Sequence, residues 1–549
     1  MPDDLDLGEY GHHLVDELMA RRLSRRDVLQ RATVVGLGIP TISALLGSRA
    51  GAAGLRPAVS GAAPQPKAGG TLQVASDAPV AAVDPVTMYD GGSINVVQQV
   101  AEYLAWVNPD NTLRPVLASS WKPNAKGDVW TFQIRNGVKF SNGAPLSADD
   151  VVATFQRLVN PASGSSAATN FKGVLGVSGV QKTGEYEVTF ALERPFVDFP
   201  YAVASTNYNA VVLPKSYDGD FAKSPVGTGP FVLTAYETGV SATFKRNPVY
   251  WDAPKPYLDG VTFTFFNPNA VPAQEAALQT GAVDVYQSAP STGSPLWHDP
   301  NIALPTLPSS YYGEFWFRTD TPPWTDARVR QAVAYALDRP AIISNIFSGR
   351  ATVGNDEVFA PAFPGSPVLP QRSQDIAKAK QLLAAAGLGR GFSATLTTEG
   401  PGIFSQYATL VQSYVAQIGI DLSLNVESTS TFYGSGSNQP WLTVPVGIVD
   451  WAARATPEQL YQSAYTTGGI WNSSKWADPT FDKLASEYEA TVDQASRAAL
   501  AKQLATVQQE ATPAVIAWWK DAVYSIWKKV HNLEPNGSYF LDLTATWLE

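Results

Sequence analysis

Side chains that could carry acid–base or metal chemistry are scarce in this sequence. It has four histidines, and His12 and His13 are adjacent near the N-terminus while His298 and His531 are far apart. A zinc site or a histidine general base needs partners at short, defined spacing. No H-E-x-x-H, G-x-S-x-G or phosphate-loop pattern occurs. We therefore expect no catalytic residues, no bound metal and no cofactor.

The abundant side chains suit binding better than catalysis. Aromatic residues make up 11% of the chain and include 15 Trp, whereas charged residues make up 16%, below the usual quarter. Extra aromatic side chains can fill a large core or line a cleft that holds a solute by stacking and shape. The net charge of −10 argues against a nucleic-acid partner. The absence of cysteine excludes disulfides and thiolate chemistry.

A basic segment followed by an apolar one indicates export. Arg25 and Arg26, in the stretch SRRDVL of residues 24–29, resemble the twin-arginine motif that the Tat export receptor reads. The uncharged run between Arg31 and Arg49 has about 17 residues, fewer than the roughly 20 that span a bilayer. We expect a periplasmic or other extracytoplasmic protein, which stays tethered to the membrane if the signal is not cleaved.

The order of secondary-structure signals indicates more than one domain of mixed type. About 480 residues follow the signal and its linker, too many for one core. The first half is rich in strands: residues 129–140 alternate apolar and polar side chains, and Asn136-Gly137 predicts a hairpin turn. Ser147 and Asp150 predict a capping box at the start of a helix.

The second half alternates helices and strands. Helices are predicted to begin near Asp326 and at Pro340, and to span residues 375–386 and 404–418, with strands after the last two. Residues 441–450 are nearly all apolar and predict a strand buried on both faces. Such alternation predicts an α/β lobe.

Six segments, in order, resemble the signature of the bacterial extracellular solute-binding proteins of family 5, the dipeptide and oligopeptide type, which are the binding components of ABC importers. The resemblance covers roughly residue 70 to the end. The segments are WTFQIRNGVKFSNGAPLSADDVVATFQRL (130–158), PVGTGPFVL (225–233), FKRNPVYWDAPKPYLDGVTF (244–263), AALQTGAVDVY (276–286), TDARVRQAVAYALDRPAII (325–343) and AKAKQLLAAAGL (377–388).

The resemblance implies an α/β, two-lobe type II periplasmic-binding-protein fold, with an extra subdomain inserted in lobe I. Two links between the lobes are expected at residues 311–320 and 521–530, and the lobes close about them on the ligand. The predicted divisions are an N-terminal segment and signal (1–53), a linker (54–69), lobe I core (70–104), inserted subdomain (105–215), lobe I core (216–318), lobe II (319–521) and a return to the lobe I core (522–549).

The resemblance also places a ligand contact in DWAARATP, residues 450–457. Peptide-binding members carry there an aspartate three residues after a tryptophan, and it pairs with the peptide ammonium group. Trp451 is in place, but the aspartate position holds Arg454, which suits a carboxylate or phosphate. We expect Arg454 to contact an acidic or polar part of the ligand and Trp451 to form a wall. The alternative is a structural bridge from Arg454 to a carboxylate at the cleft rim.

Asp450 could replace the missing aspartate, although its side chain should point away from that of Trp451 on an extended strand. No arginine that could hold a dipeptide carboxylate occurs in residues 397–406. Surface turns or core packing are the alternatives for the other candidate ligand contacts. These are Tyr89 and Asp90 after the first strand, Tyr311 and Tyr312 at the first link, and Trp471 and Asn472 after a glycine pair.

The predicted function is that of an extracytoplasmic solute-binding component of an ABC importer. It would capture a peptide-like or other small polar solute and deliver it to the membrane permease. An opine, organic acid or oligosaccharide remains an alternative ligand, and a secreted sensor or chaperone module without a transport role is an alternative of another class. The resemblance implies a monomer.

Overall fold

The computed structural model of the protein describes residues 65–549, apart from residues 81, 269, 292, 437, 538 and 539. The predicted export signal, with Arg25 and Arg26, lies outside the described residues, as does most of the linker. Residues Pro66–Glu549 form one compact unit. Within this described part, no helix has both the length and the apolar character needed to cross a membrane.

The described chain contains both strands and helices throughout its length. The strands are β1 (Thr71–Asp77), β2 (Ala105–Val107), β3 (Leu113–Pro115), β4 (Ala118–Pro123), β5 (Val129–Ile134), β6 (Val180–Gly184), β7 (Glu187–Ala191), β8 (Phe231–Glu237), β9 (Ser241–Arg246), β10 (Gly260–Phe266), β11 (Val285–Tyr286), β12 (Ile302–Ala303), β13 (Thr306–Phe317), β14 (Ala351–Val353), β15 (Phe392–Glu399), β16 (Ile420–Glu427), β17 (Val446–Trp451), β18 (Ala514–Val523), β19 (Ser525–Trp527), β20 (Val530–His531) and β21 (Trp547–Leu548).

Most of the long helices lie in the second half of the chain. The α-helices are α1 (Gly91–Val100), α2 (Ala148–Val159), α3 (Ala168–Phe171), α4 (Phe199–Ala202), α5 (Val271–Gln279), α6 (Ala327–Ala336), α7 (Arg339–Phe347), α8 (Ile376–Ala385), α9 (Ile403–Ala416), α10 (Thr429–Tyr433), α11 (Pro440–Thr443), α12 (Glu458–Ala464), α13 (Pro479–Ala490) and α14 (Gln494–Ala511). Short 3₁₀ helices span Pro161–Ser163, Val177–Gly179 and Pro295–His298.

A seven-stranded sheet collects strands from the first half of the chain and one from near its end. Its order is β12-β19-β11-β1-β10-β9-β8. Strand β1 is central and runs parallel to both β10 and β11. Leu72 and Val74 of β1 are fully buried, as expected for a central parallel strand that is covered on both faces.

A separate four-stranded sheet, ordered β4-β5-β7-β6, forms within the segment predicted as the inserted subdomain. Strand β5 was predicted, but the hairpin at Asn136-Gly137 is wrong. Gly137 does adopt the left-handed conformation of a turn, with φ of +83°. However, β4 and β7 pair with the two edges of β5, so no edge is left for the residues after the turn. The predicted capping box of α2 is confirmed, since Asp150 accepts a hydrogen bond of 2.9 Å from the Ser147 backbone N–H.

The second large sheet has six strands, in the order β14-β18-β13-β17-β15-β16. Helices pack on both of its faces. Side chains of β13 alternate between its two faces. Phe315 and Phe317 pack into the core that includes α6 to α9, whereas Tyr312 and Trp316 pack into the core that includes α12 to α14. Burial on both faces explains why these strands are almost continuously apolar.

The chain passes between the two large sheets at two points. It leaves β12 and enters β13 at residues 304–305, and it leaves β18 and enters β19 at Tyr524. The second point falls inside the predicted segment 521–530. The first predicted link, 311–320, begins inside β13, which starts at Thr306 and belongs to the six-stranded sheet. The boundaries of the lobes stay predictions.

Ion pairs join the region of the four-stranded sheet to the helices behind the six-stranded sheet. Arg497 of α14 pairs with Asp198, and Glu489 of α13 pairs with Arg194. The Glu489 carbonyl also accepts a 2.9 Å hydrogen bond from the backbone N–H of Val197. These contacts hold the two regions together in this structure.

Candidate functional site

A cavity of about 250 Å³ lies at the carboxyl end of strand β17. Ligands of α/β sheets commonly bind at this end of the strands. Two short helices that precede the strand, the strand end and a later loop border the cavity. Its lining residues are Tyr433, Trp441, Val449, Asp450, Trp451, Ala452, Arg454 and Trp471. Four of the predicted ligand contacts, Asp450, Trp451, Arg454 and Trp471, therefore meet at one place.

Trp451 is held rigidly at the base of this cavity. Its indole Nε1 donates a 2.8 Å hydrogen bond to Glu314 Oε2. Its ring stacks on Tyr312, with centroids 6.2 Å apart and planes 8° apart. The edge of Trp471 meets it at 5.9 Å. A buried aromatic ring with its N–H satisfied is a preformed wall for a ligand.

The aromatic wall continues towards solvent. Trp441 lies 6.4 Å from Trp471 and 5.8 Å from Tyr433 between ring centroids. Trp471 is 38% exposed, which is unusual for a side chain of its size. Because Trp471 lines the cavity, its ring is available to a bound solute.

Asp450 borders the same cavity as Trp451, contrary to the expectation that the two would face apart. The cavity lies across the end of β17 and not on one face of it, so consecutive residues can both reach it. The Asp450 carboxylate accepts a hydrogen bond from the Tyr433 hydroxyl. This carboxylate stays partly exposed, so it can still accept hydrogen bonds from a ligand.

Arg454 is positioned through its backbone. The Ser310 hydroxyl donates to the Arg454 carbonyl at 2.6 Å and lies 2.7 Å from the Arg454 backbone nitrogen, which donates to it. Nη1 of the side chain contacts the carbonyl of Ala453 at 3.2 Å. Burial lowers the pKa of Arg454, and the nearby Tyr208, Tyr312 and Asp450 oppose that change.

No carboxylate in the described part of the chain forms an ion pair with Arg454, so the structural bridge weighed as the alternative has no partner there. Arg454 is partly buried, and a partly desolvated guanidinium gains from a nearby anion. The chemistry of this position therefore favours a ligand that brings a carboxylate or another anionic group.

Tyr311 and Tyr312 do not border the cavity. Tyr312 has no exposed surface, and its hydroxyl lies 3.3 Å from that of Tyr465, so it supports Trp451 from behind. Tyr311 stacks on Trp518 with centroids 6.5 Å apart. Tyr311 and Tyr312 take these positions because β13 lies inside the six-stranded sheet, whose two faces are covered by helices.

Three further candidates also take other places. The Asp90 carboxylate caps α1 by accepting 2.8 Å hydrogen bonds from the backbone N–H and hydroxyl of Ser93. Tyr89 is 62% exposed and does not line the cavity. Asn472 is buried and donates to the carbonyls of Thr466 and Trp476 at 3.1 and 2.8 Å, so it holds the loop that presents Trp471.

Sequence reasoning missed Tyr433, Trp441 and Glu314. Trp441 was assigned to a buried strand, whereas it lies in α11 and the strand starts at Val446. Glu314 is buried beneath the cavity. Burial raises the pKa of Glu314 to about 7, and hydrogen bonds from Trp451 and Tyr465 oppose that rise. The proline at the start of α11 was a usable signal, since proline is common in the first turn of helices.

Comparison with known proteins assigns the family. Residues 112–473 match the sequence profile described as "Bacterial extracellular solute-binding proteins, family 5 Middle", which is more than half of the chain. The chain belongs to this family. The mixed α/β fold of family 5, the type II periplasmic-binding-protein fold, is thereby confirmed.

Known proteins and solved structures are similar to this chain over most of its length. The dipeptide-binding protein of Escherichia coli K12 is 27% identical over 495 residues, covering 83% of this chain and 90% of that protein. The structure of HbpA2 from Haemophilus parasuis has a TM-score of 0.75 at 24% identity and covers 87% and 99% of the two chains. AgaA from A. tumefacien R10, in complex with agropinic acid, has a TM-score of 0.67 at 25% identity and covers 87% and 99%.

Proposed function

We propose that this family 5 protein is the extracytoplasmic solute-binding component of an ABC importer, and that it captures a small peptide-like solute with a free carboxylate. The observation that carries the proposal is that one cavity with an aromatic wall is lined by both Arg454 and Asp450. The family membership supports binding as the activity and offers no support for catalysis.

The cavity offers complementary groups for both ends of a zwitterion. The Arg454 guanidinium can hold a carboxylate through two parallel hydrogen bonds. The Asp450 carboxylate can accept from an ammonium or amide N–H group while Tyr433 fixes its orientation. Trp451 and Trp471 provide flat apolar surfaces for the part of the solute between its two polar ends.

Binding would be reported to the permease through lobe closure. A solute that contacts both lobes in the closed state shifts the population towards that state without any chemistry. Tyr208, from the predicted inserted subdomain, lies close enough to Arg454 to affect its pKa. The site therefore has a neighbour from the other side of the predicted cleft, as a closing mechanism requires.

An organic acid is the second candidate ligand. Arg454 stands where the peptide-binding members resembled by this sequence have an aspartate, and a cation there disfavours an ammonium group. AgaA, a protein of similar fold, was solved in complex with agropinic acid. An oligosaccharide is less favoured, because it would leave the Arg454 charge unmatched.

Delivery and partners are part of the same proposal. Arg25 and Arg26 support export by the Tat receptor, with the chain free or tethered depending on cleavage of its signal. The further partner is the membrane permease, and the binding component acts as a monomer.

A ligand panel tests the proposal. Protein freed of carried-over solute by unfolding and refolding is screened by thermal shift and then by calorimetry. The panel contains dipeptides, their C-terminal amides, their N-acetyl forms, organic acids and oligosaccharides. We expect stabilisation by solutes with a free carboxylate, of about 2.7 kcal/mol at a concentration 100-fold above Kd. C-terminal amides should bind much more weakly than the matching acids. A flat response in every class, or a preference for the amides or sugars, contradicts the proposal.

A further inference from the structure

A second cavity, of about 310 Å³, lies beside the seven-stranded sheet. It is enclosed by the end of α1, the β2–β3 hairpin, the turn that follows β9 and the C-terminal segment around Asp542. None of its lining residues belongs to residues 306–523, which contain the six-stranded sheet and the site at Arg454. Its volume lies in the range of small-ligand pockets.

Two ion pairs occupy part of the cavity wall. Arg114 pairs with Asp542 of the C-terminal segment, and its guanidinium lies over the Trp106 ring. Lys255 pairs with Asp252 at 3.0 Å. These four charges neutralise one another, so they do not call for a ligand.

Arg135 borders the same cavity without such a partner. Its Nε donates a 2.9 Å hydrogen bond to the Val116 carbonyl, and its guanidinium carbon lies over the Trp251 ring, 4.3 Å from the centroid. Its two terminal nitrogens donate to no residue of the described chain. A guanidinium fixed by stacking and by Nε presents those nitrogens as a fork for a carboxylate.

Hydrogen-bond acceptors line the cavity as well. Gln98 is 5% exposed, and its Nε2 donates to the Tyr103 hydroxyl at 3.1 Å. Its Oε1 is buried and has no hydrogen-bond partner among the described residues. Buried acceptors are rarely left unpaired in folded proteins. Its accessible surface is below 1 Å², so it can accept from a bound group only after the Gln98 side chain shifts towards the cavity.

Glu102 adds a second acceptor that the fold has oriented in advance. It is 7% exposed and accepts hydrogen bonds from the Tyr250 hydroxyl at 2.8 Å and from Trp251 Nε1 at 2.9 Å. Trp251 thus touches both Glu102 and Arg135. Burial raises the pKa of Glu102 to about 7, while those two hydrogen bonds lower it.

We propose that this cavity is a second solute site, which binds a free amino acid with its carboxylate on the terminal nitrogens of Arg135 and its ammonium group on the side of Glu102. The site is separate from the one at Arg454, and its occupation does not depend on the solute bound there. A ligand that links the C-terminal segment to α1 and the β2–β3 hairpin would also stabilise this part of the fold.

Calorimetric titration with L-serine and with glycine tests this second site. The titrations use the Arg454→Ala protein, so that binding at the first site is weakened and the two sites can be told apart. We expect saturable binding in this background. Arg135→Met, added to it, should weaken binding by about tenfold or more, because a charge-assisted carboxylate contact is lost. Lys139→Met removes an exposed cation nearby that does not border the cavity, and it should leave the affinity unchanged.

A crystal of the wild-type protein soaked with L-serine gives a readout that does not depend on how the variants fold. Density for serine with its carboxylate at Arg135 supports the proposal. An empty or water-filled cavity in such a crystal overturns it, and so does an Arg135→Met protein that folds and binds as tightly as its parent. Loss of all amino-acid binding in the Arg454→Ala protein also overturns it, since the binding would then belong to the first site.

Discussion

Replacing Arg454 by alanine should weaken solute binding by about 30-fold to a few thousand-fold. Truncating one partner of a buried, hydrogen-bonded charge pair costs about 2–5 kcal/mol, and each 1.4 kcal/mol is about tenfold in Kd. The guanidinium has no carboxylate partner within the described chain, so a bound solute should be its counter-ion. Calorimetry with the tightest solute from the ligand panel measures the effect.

Two further variants make this measurement specific. Arg454→Lys keeps the positive charge but loses the planar fork, so its affinity should lie between those of the wild type and the alanine variant. Arg390→Ala removes an exposed arginine that does not border the cavity, and it should bind as the wild type does. A folded Arg454→Ala protein with wild-type affinity would remove Arg454 from the site.

Glu314→Gln should stabilise the protein at pH 8 and have little effect at pH 4.5. Burial raises the pKa of Glu314 from 4.5 to about 7, so the folded state holds a proton that the unfolded state has already released. Below about pH 4.5 the carboxyl is protonated in both states and carries no penalty. Above pH 7 it is ionised in the folded state, and the wild type has lost about 3 kcal/mol of unfolding free energy, at about 1.4 kcal/mol for each pKa unit.

Glutamine is neutral at every pH and keeps an oxygen that can accept from Trp451 Nε1. Denaturant unfolding of both proteins at a series of pH values should therefore show a difference that grows as pH rises from about 5 to 8. Glu185→Gln changes an exposed carboxyl and is the matched control, for which no such trend is expected. An equal effect of Glu314→Gln at pH 4.5 and pH 8 would contradict the assigned ionisation.

Four helices of the second half were predicted from the sequence, whereas α12, α13 and α14 were not. Asp326, Asp338 and Asp375 each cap the helix that was predicted near them, because an acceptor before an apolar stripe is a local signal. The hairpin at Asn136-Gly137 failed for a non-local reason. The turn residues are suitable, but β5 pairs with β4 on one edge and with β7 on the other. No edge of β5 is free for the residues after the turn.

The candidate site was predicted in part: a family motif marked residues 450–457, and Trp471 was proposed from the glycine pair before it. Trp451 and Arg454 stand in a recognisable segment, and the structure places both at one cavity. Tyr433 and Trp441 reach that cavity from short helices, whose side-chain directions depend on tertiary packing. Asn472 was expected to contact ligand because it follows Trp471, yet its side chain hydrogen-bonds within its own loop. Adjacent residues in a loop can serve opposite purposes, and no sequence pattern separates them.

Small-angle scattering of the protein with and without its solute tests most directly whether capture occurs by closure of two lobes. The solute is one that calorimetry shows to saturate the site. Closure predicts a smaller radius of gyration and a shifted profile on saturation, and an unchanged profile when Arg454→Ala protein receives the same solute concentration. Superimposable profiles for the free and saturated wild type would contradict closure as the way this protein reports its ligand.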